Sequence, residues 1–529
     1  MKKKIISVLL FVLLAPTLSM ASDICSQLIE TTEGPVRGKK APNVPTCTYK
    51  GIPYAHPPLG EFRLKAPQPP IKRDAVFNAF DFSPSCWQNE QIAIMSGGKS
   101  KSFSEDCLTL NIFRPAKEGT FPVMFWIHGG GYVQGASNYE LYDGATLAGR
   151  FDVVVVTINY RLGPLGFMAL PQLAEEDPFH STGNYGMLDT IQALKWVKEN
   201  IKNFGGDPES VTIFGHSAGG VSVCALVASH LAKGLFHRAI IQSGACDIAR
   251  PVEENYKIGK EMAEAVGCTQ HDPRECLRKI PAKRFLKYKM KGISLALSID
   301  GVLLKSKPID AISAGDYNKV PLMVGSAKDE MNILIAMMPW TKLASRKMVE
   351  KQIRKILKDK SDELLKLYSF KDYRRPIFLI ADAVADAFGC RAFIAAERFS
   401  VHNPVWLYQF DWDGQVYGNT MGAFHGLELP LVFGNLKLTP IMFRLFMNKR
   451  VRTEVAPLSD QMMRYWTNFA KNSNPNGIGL SQWRGYDPNN REKMHFDISS
   501  KMLPISPQQM ERYNFLLTLD MDYLSDGSH

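Results

Sequence analysis

Short apolar runs separated by helix-length stretches recur along the whole chain. Six of them are rich in β-branched or aromatic residues: Pro122 to His128, Asp152 to Tyr160, Val211 to Gly215, Arg238 to Gln242, Val320 to Gly325 and Val405 to Phe410. They are nearly continuous in apolar side chains, the pattern of strands buried on both faces in a parallel sheet. Between them, Leu188 to Asn203 places Leu188, Ile191, Leu194, Trp196, Val197 and Ile201 at helical spacing, with Lys195, Lys198 and Glu199 on the polar side. The pattern predicts an α/β architecture, a large, mostly parallel central sheet flanked by helices. Two blocks, 331–370 and 438–461, turn helical without strand-like runs. They are expected as helical insertions capping the carboxyl end of the sheet, where open α/β folds bind ligands; packing on the outside is the plainer alternative. No internal repeat or low-complexity linker divides residues 22–529, which read as a single domain.

Composition leaves this picture intact. Of 529 residues, 45% are apolar and 22% charged, which supplies a core and excludes disordered and collagen-like classes. At the N-terminus, Lys2, Lys3 and Lys4 precede the apolar run Ile5 to Leu14, then Pro16 and Ser19-Met20-Ala21. Residues 1–21 therefore read as a signal peptide cleaved after Ala21, with export to the periplasm or beyond, and the run is too short for a stable membrane span. Cleavage removes three of the 63 basic residues and none of the 52 acidic ones, so the net charge falls from +11 to +8. The basic stretches 283–291 and 346–358 read as solvated faces, with no nucleic-acid partner, because no nucleic-acid motif accompanies them. Nine cysteines suit an exported protein. Cys268 and Cys276 enclose a short polar loop, Cys86 and Cys107 bracket a Gly/Ser/Lys-rich stretch, Cys25 and Cys47 flank the start of the mature chain, and Cys224 is expected as a core residue. With no Cys-x-x-Cys and no His-x-x-x-His, neither a metal nor a cofactor is expected.

The chemistry concentrates at Val211-Thr-Ile-Phe-Gly-His-Ser-Ala-Gly-Gly220. A β-branched strand entering Gly-x-Ser-x-Gly and then a small-residue helix describes a nucleophile elbow, with Ser217 as attacking hydroxyl and Gly215 and Gly219 leaving room for the turn. A serine hydroxyl is a weak nucleophile and needs a base, an orienting acid and an oxyanion hole. The strand ending at His128 runs into Gly129-Gly-Gly131, whose bare backbone can aim N–H groups at one oxygen. Gly130, Gly131 and Ala218 are the candidate oxyanion donors.

Eight ordered motifs resemble the type-B carboxylesterase and lipase family, which includes the cholinesterases: Gly51-Ile-Pro-Tyr-Ala55, Ser104-Glu-Asp-Cys-Leu-Thr-Leu-Asn111, His128-Gly-Gly-Gly-Tyr132, Asn159-Tyr-Arg-Leu-Gly163, Asn184-Tyr-Gly-Met-Leu-Asp189, Phe204-Gly-Gly-Asp-Pro208, Gly215-His-Ser-Ala-Gly-Gly220 and Gln242-Ser-Gly244. The resemblance implies an α/β-hydrolase fold and a Ser, acid, His order. It points to His425, in Gly422-Ala-Phe-His-Gly-Leu-Glu-Leu-Pro430, as base and to Glu330, in Val324-Gly-Ser-Ala-Lys-Asp-Glu330, as acid. Asp329 is the competing carboxylate, with Asp411 and Asp413 behind it. It also implies ion pairs Arg63 with Glu105 and Arg161 with Asp189, disulfides Cys86–Cys107 and Cys268–Cys276, and a hydrogen bond from Ser243 near the acid loop. The implied activity is serine carboxylic-ester hydrolysis through an acyl-enzyme, on small to medium, mainly uncharged esters, with water as second reactant. A lipase acting on longer acylglycerols is the enzymatic alternative, and a non-catalytic adhesion relative the alternative of another class. The complete set Ser217, Glu330, His425 and both glycines favours an enzyme.

Cholinesterases carry glutamate before the nucleophile, where this chain has His216, and the segment between Cys86 and Cys107 has Trp87 as its only tryptophan. Choline esters are therefore not the expected substrate. The aliphatic stretch Gly292 to Ser298 suggests a roomy acyl pocket, and Met331, Met337 and Met338 an adaptable apolar lining.

Overall fold

The computed structural model describes residues 23–89, 100, 102–287, 295–333, 341, 343–437 and 441–519. The signal peptide read at 1–21, Met337, Met338 and the start of the 438–461 block lie outside them.

Among the described residues, eleven strands form the main sheet: β1 Lys39–Lys40, β2 Thr46–Pro53, β3 Thr109–Pro115, β4 Phe121–Ile127, β5 Val154–Ile158, β6 Gly206–His216, β7 Arg238–Gln242, β8 Leu322–Ala327, β9 Val405–Phe410, β10 Glu492–Phe496 and β11 Lys501–Pro504. Their spatial order is β1-β2-β3-β5-β4-β6-β7-β8-β9-β10-β11. From β5 to β10 every neighbouring pair is parallel. The flanks β1, β2, β3 and β11 pair antiparallel. All six apolar runs are strands of the parallel centre.

Side-chain alternation explains why those runs are apolar throughout. Val123, Phe125 and Ile127 of β4 join one core with Ile213, Ile241, Val324 and Leu407. Met124 and Trp126 join the other with Phe214, Ile240, Met323 and Trp406. Each face is then closed by helices. The first is covered by α1 (Tyr185–Asn200), α2 (Ala218–Ala228) and α5 (Phe378–Phe399), through Leu194, Leu226 and Phe393. The block 331–370 contains α3 (Arg346–Leu357) and α4 (Ser361–Leu367), and the block from 438 contains α6 (Ile441–Phe446) and the start of α7 (Lys449–Asn472). α7 runs beyond residue 461 and packs on the second face, with Leu458, Met462, Trp466 and Phe469 in that core.

Covalent and ionic ties hold loops to this frame. Disulfides join Cys25–Cys47, Cys86–Cys107, Cys224–Cys246 and Cys268–Cys276, leaving Cys390 as a buried thiol. Cys224 thus corrects its sequence reading: it is buried in α2, but bonded rather than merely packed. The Arg161 guanidinium forks onto Asp189 with bonds of 2.8 and 2.7 Å, fixing the loop after β5 to α1. Arg63 does the same to Glu105 at 2.7 and 2.6 Å. Bidentate pairs of this kind are directional as well as strong.

Candidate active site

β6 ends at His216 and α2 begins at Ala218, so Ser217 alone makes the turn, at φ 57° and ψ −124°. Such a conformation costs a residue with a side chain about 1–3 kcal/mol, and its neighbours hold it in place. The Ser217 N–H donates to the Gln242 carbonyl at 2.9 Å, and the Ser217 carbonyl accepts from Val221 N–H at 3.0 Å. A Cβ at Gly219 would lie 2.1 Å from the Ile127 carbonyl oxygen, so only glycine lets α2 start this close to β4. The serine hydroxyl does not cap the helix it introduces. It stands instead at the positive end of the helix dipole.

The glycine loop after β4 is pressed against this turn. A Cβ on Gly129 would sit 3.0 Å from the Ser217 Cβ. The N–H groups of Val133 and Gln134 both return to the Gly130 carbonyl at 3.1 Å. Gly130, Gly131 and Ala218 donate their own N–H groups to no carbonyl among the described residues. His128 stacks on Tyr160 with ring centroids 4.4 Å apart, and its Nδ1 lies 2.9 Å from the Gly129 carbonyl. Burial lowers its pKa to about 4, so it is a neutral buttress at neutral pH.

The candidate acid and base meet across two loops. Glu330, fully buried, follows β8; its Oε1 accepts the Ala327 N–H at 2.7 Å and its Oε2 receives His425 Nδ1. The His425 N–H donates to the Glu330 carbonyl at 3.1 Å, so backbone and side chains set one geometry. A carboxylate on Nδ1 selects the Nδ1–H tautomer and leaves Nε2 as the basic nitrogen. Burial acts to lower the His425 pKa, but the Glu330 charge and hydrogen bond outweigh it, and the net shift is upward. The imidazole side chain keeps 25% exposure. Its ring lies 4.3 Å from that of His216 and 5.6 Å from Phe388 of α5.

The other carboxylates are occupied elsewhere. Asp329 Oδ2 accepts the Ala423 N–H at 2.9 Å, while its own N–H donates to the Ala423 carbonyl, which pins the loop leading to His425. Asp411 takes His495 Nδ1 at 2.5 Å, and Asp413 makes no hydrogen bond to His425 among the described residues. Ser243 makes the expected bond through its backbone: its N–H donates to the Gly325 carbonyl on the strand leading to the acid loop, at 2.8 Å. Its Oγ is buried without a hydrogen-bond partner among the described residues. Leu295, Ala296 and Leu297, from the aliphatic stretch, are buried.

One group had no role in the sequence reading. Glu428, 1% exposed, places Oε1 3.8 Å from His216 Nε2. It accepts from Gln242 Nε2 at 3.4 Å, and Gln242 Oε1 in turn accepts from Trp466 Nε1 at 3.2 Å. Burial first, then the Glu330 charge, push Glu428 up to about 7. Its sequence signal is its position three residues after His425.

A serine on a strand-to-helix turn of a mostly parallel sheet, with a hydrogen-bonded acid and histidine on the loops after later strands, defines an α/β-hydrolase. Residues 25–516 match the carboxylesterase family model. Para-nitrobenzyl esterase of Bacillus subtilis is 35% identical over 483 residues, covering 89% of this chain and 95% of that protein. Liver carboxylesterase of Sus scrofa is 36% identical over 512 residues, 87% and 88% of the two chains. A solved PNB esterase superposes with a TM-score of 0.81 at 33% identity, covering 93% of this chain and 99% of that one. The chain belongs to the carboxylesterase family, and is a carboxylic-ester hydrolase of the serine-hydrolase class. Four disulfides fit a protein of an oxidising compartment. No described helix is long and apolar enough to cross a membrane.

Proposed function

We propose that the protein hydrolyses small to medium, mainly uncharged carboxylic esters through an acyl-Ser217 intermediate. The observation carrying this reading is the buried Glu330 carboxylate on His425 Nδ1, with the His425 ring against the residue that precedes Ser217. In this reading His425 Nε2 takes the Ser217 proton as Oγ attacks the ester carbonyl. The N–H groups of Gly130, Gly131 and Ala218 hold the oxyanion, and protonated His425 passes its proton to the leaving alcohol. Water then attacks the acyl-enzyme with the same base, returning the carboxylic acid and free Ser217. Glu330 holds the imidazole through Nδ1 and steadies the imidazolium.

One relative is named for para-nitrobenzyl esters and another as a carboxylesterase, which supports this reading. Residues 1–21 as a cleaved signal, together with the four disulfides, support export to the periplasm or the medium. The test is hydrolysis of p-nitrophenyl esters from acetyl to palmitoyl by the mature protein and its Ser217→Ala variant. Turnover of the shorter esters, lost in folded Ser217→Ala, is expected. A rate rising only with the longest chains would move the reading to a lipase, and equal rates in both proteins would remove Ser217 from it.

A further inference from the structure

A second imidazole–carboxylate pair stands behind the first. His216 and Glu428 are 5% and 1% exposed, and their facing atoms, Nε2 and Oε1, are 3.8 Å apart. His216 Nε2 and Glu428 Oε2 are both buried without a hydrogen-bond partner among the described residues. Leaving such atoms unpaired costs about 1–3 kcal/mol each. At 3.8 Å the two are not hydrogen-bonded, but one titrating proton on either of them makes the pair neutral overall. With no proton, Glu428 becomes a second negative charge near Glu330; with two, a positive charge faces His425.

The titratable groups around the pair are few. Glu330 and His425 face it from the acid and base loops. The phenols of Tyr142 and of Tyr408 on β9 also feel Glu428, and burial raises both so that they stay neutral. Burial, followed by the neighbouring His425, holds His216 well below the usual imidazole range, while Glu428 is pushed up to about 7. The proton therefore rests on Glu428 from acid to neutral pH. As Glu428 ionises, its charge favours protonated His425.

Resting on the reading of His425 as the base, we propose that His216 and Glu428 are positioning residues that carry one titrating proton as a pair and set the pH at which His425 can act. Neither side chain hydrogen-bonds Ser217 or His425 among the described residues; His216 lies against the His425 ring, and the pair works on that imidazole through charge.

The experiment is the pH profile of kcat/KM for p-nitrophenyl butyrate in wild type, Glu428→Gln and His216→Glu, with folding checked by thermal melting. Glu428→Gln removes the ionisable carboxyl, and the acid limb is expected to move down by roughly half a pH unit or more. His216→Glu sets a second carboxyl against the first, and the limb is expected to move up. The two shifts are opposite in sign, so either variant that folds decides. A residue that only packs would lower kcat and leave the limb in place. Limbs superimposed on wild type, or both moving the same way, would overturn the proposal alone. Hydrolysis surviving in Ser217→Ala would overturn the base assignment and this proposal together.

Discussion

Glu330→Gln is the sharpest test of how the imidazole is oriented. The wild-type carboxylate accepts two donors, the Ala327 N–H at 2.7 Å through Oε1 and His425 Nδ1 through Oε2. A glutamine offers one acceptor and one donor. Its oxygen must face Ala327, because turning the NH2 toward that N–H would leave a buried donor unpaired at about 1–3 kcal/mol. The NH2 then points at His425 Nδ1 and selects the opposite tautomer, with the proton on Nε2, where it cannot accept from Ser217. Forcing the productive tautomer costs that same 1–3 kcal/mol. Loss of the negative charge beside the imidazolium adds about 4 kcal/mol at an effective dielectric of 20 and a 4 Å separation. The sum is about 5–7 kcal/mol, or roughly 10⁴–10⁵ in rate. The assay is kcat/KM on p-nitrophenyl acetate across pH, with thermal melts to confirm folding. Asp329→Asn is the control: it keeps an oxygen acceptor for Ala423 N–H and is expected to stay within about tenfold of wild type. A Glu330→Gln enzyme within tenfold of wild type, or an Asp329→Asn enzyme falling as far, would refute the tautomer argument.

Three further outcomes are expected. Because the Glu330 charge outweighs burial at His425, the neutral base should appear only above the ordinary imidazole value of about 6.5; kcat/KM should rise through a pH higher than that, and a limb at or below it contradicts the assignment. Gly219→Ala puts a Cβ 2.1 Å from the Ile127 oxygen and 2.9 Å from the His128 oxygen, both backbone; about 1–3 kcal/mol or more of stability should go, seen as a lower melting temperature, and an unchanged one would mean β4 and α2 can separate. Cys224→Ala/Cys246→Ala opens a bond spanning 22 residues; it should lower the unfolding free energy by about 3 kcal/mol in urea titration, and a midpoint unmoved by the change would show that packing alone secures α2.

The parallel centre was legible because strands buried on both faces cannot hide their composition. β10 escaped for the converse reason: Glu492-Lys-Met-His-Phe496 carries Lys493 and His495 inward, where Lys493 Nζ bonds Gln409 at 2.6 Å and His495 bonds Asp411. A buried polar ladder reads in sequence as a loop. The flanks β1 to β3 were missed because antiparallel pairing depends on register, not run composition. At the site, Ser217 and the glycines announce themselves because backbone geometry demands them. His425 and Glu330 needed a resemblance, since a histidine or a glutamate in a loop carries no geometric signature. Glu428 had no sign beyond its place three residues after His425, and the Cys224–Cys246 bond had none: each depends on a partner, His216 or Cys246, that only the folded sheet brings near.

The order of the site along the chain has a consequence for biogenesis. β6 and its elbow lie well before the base loop, and His425 is supplied only after β9 has been made. On the proposed assignment a growing chain carries its nucleophile long before its base, so partial translation products and fragments clipped ahead of His425 should be inert toward esters.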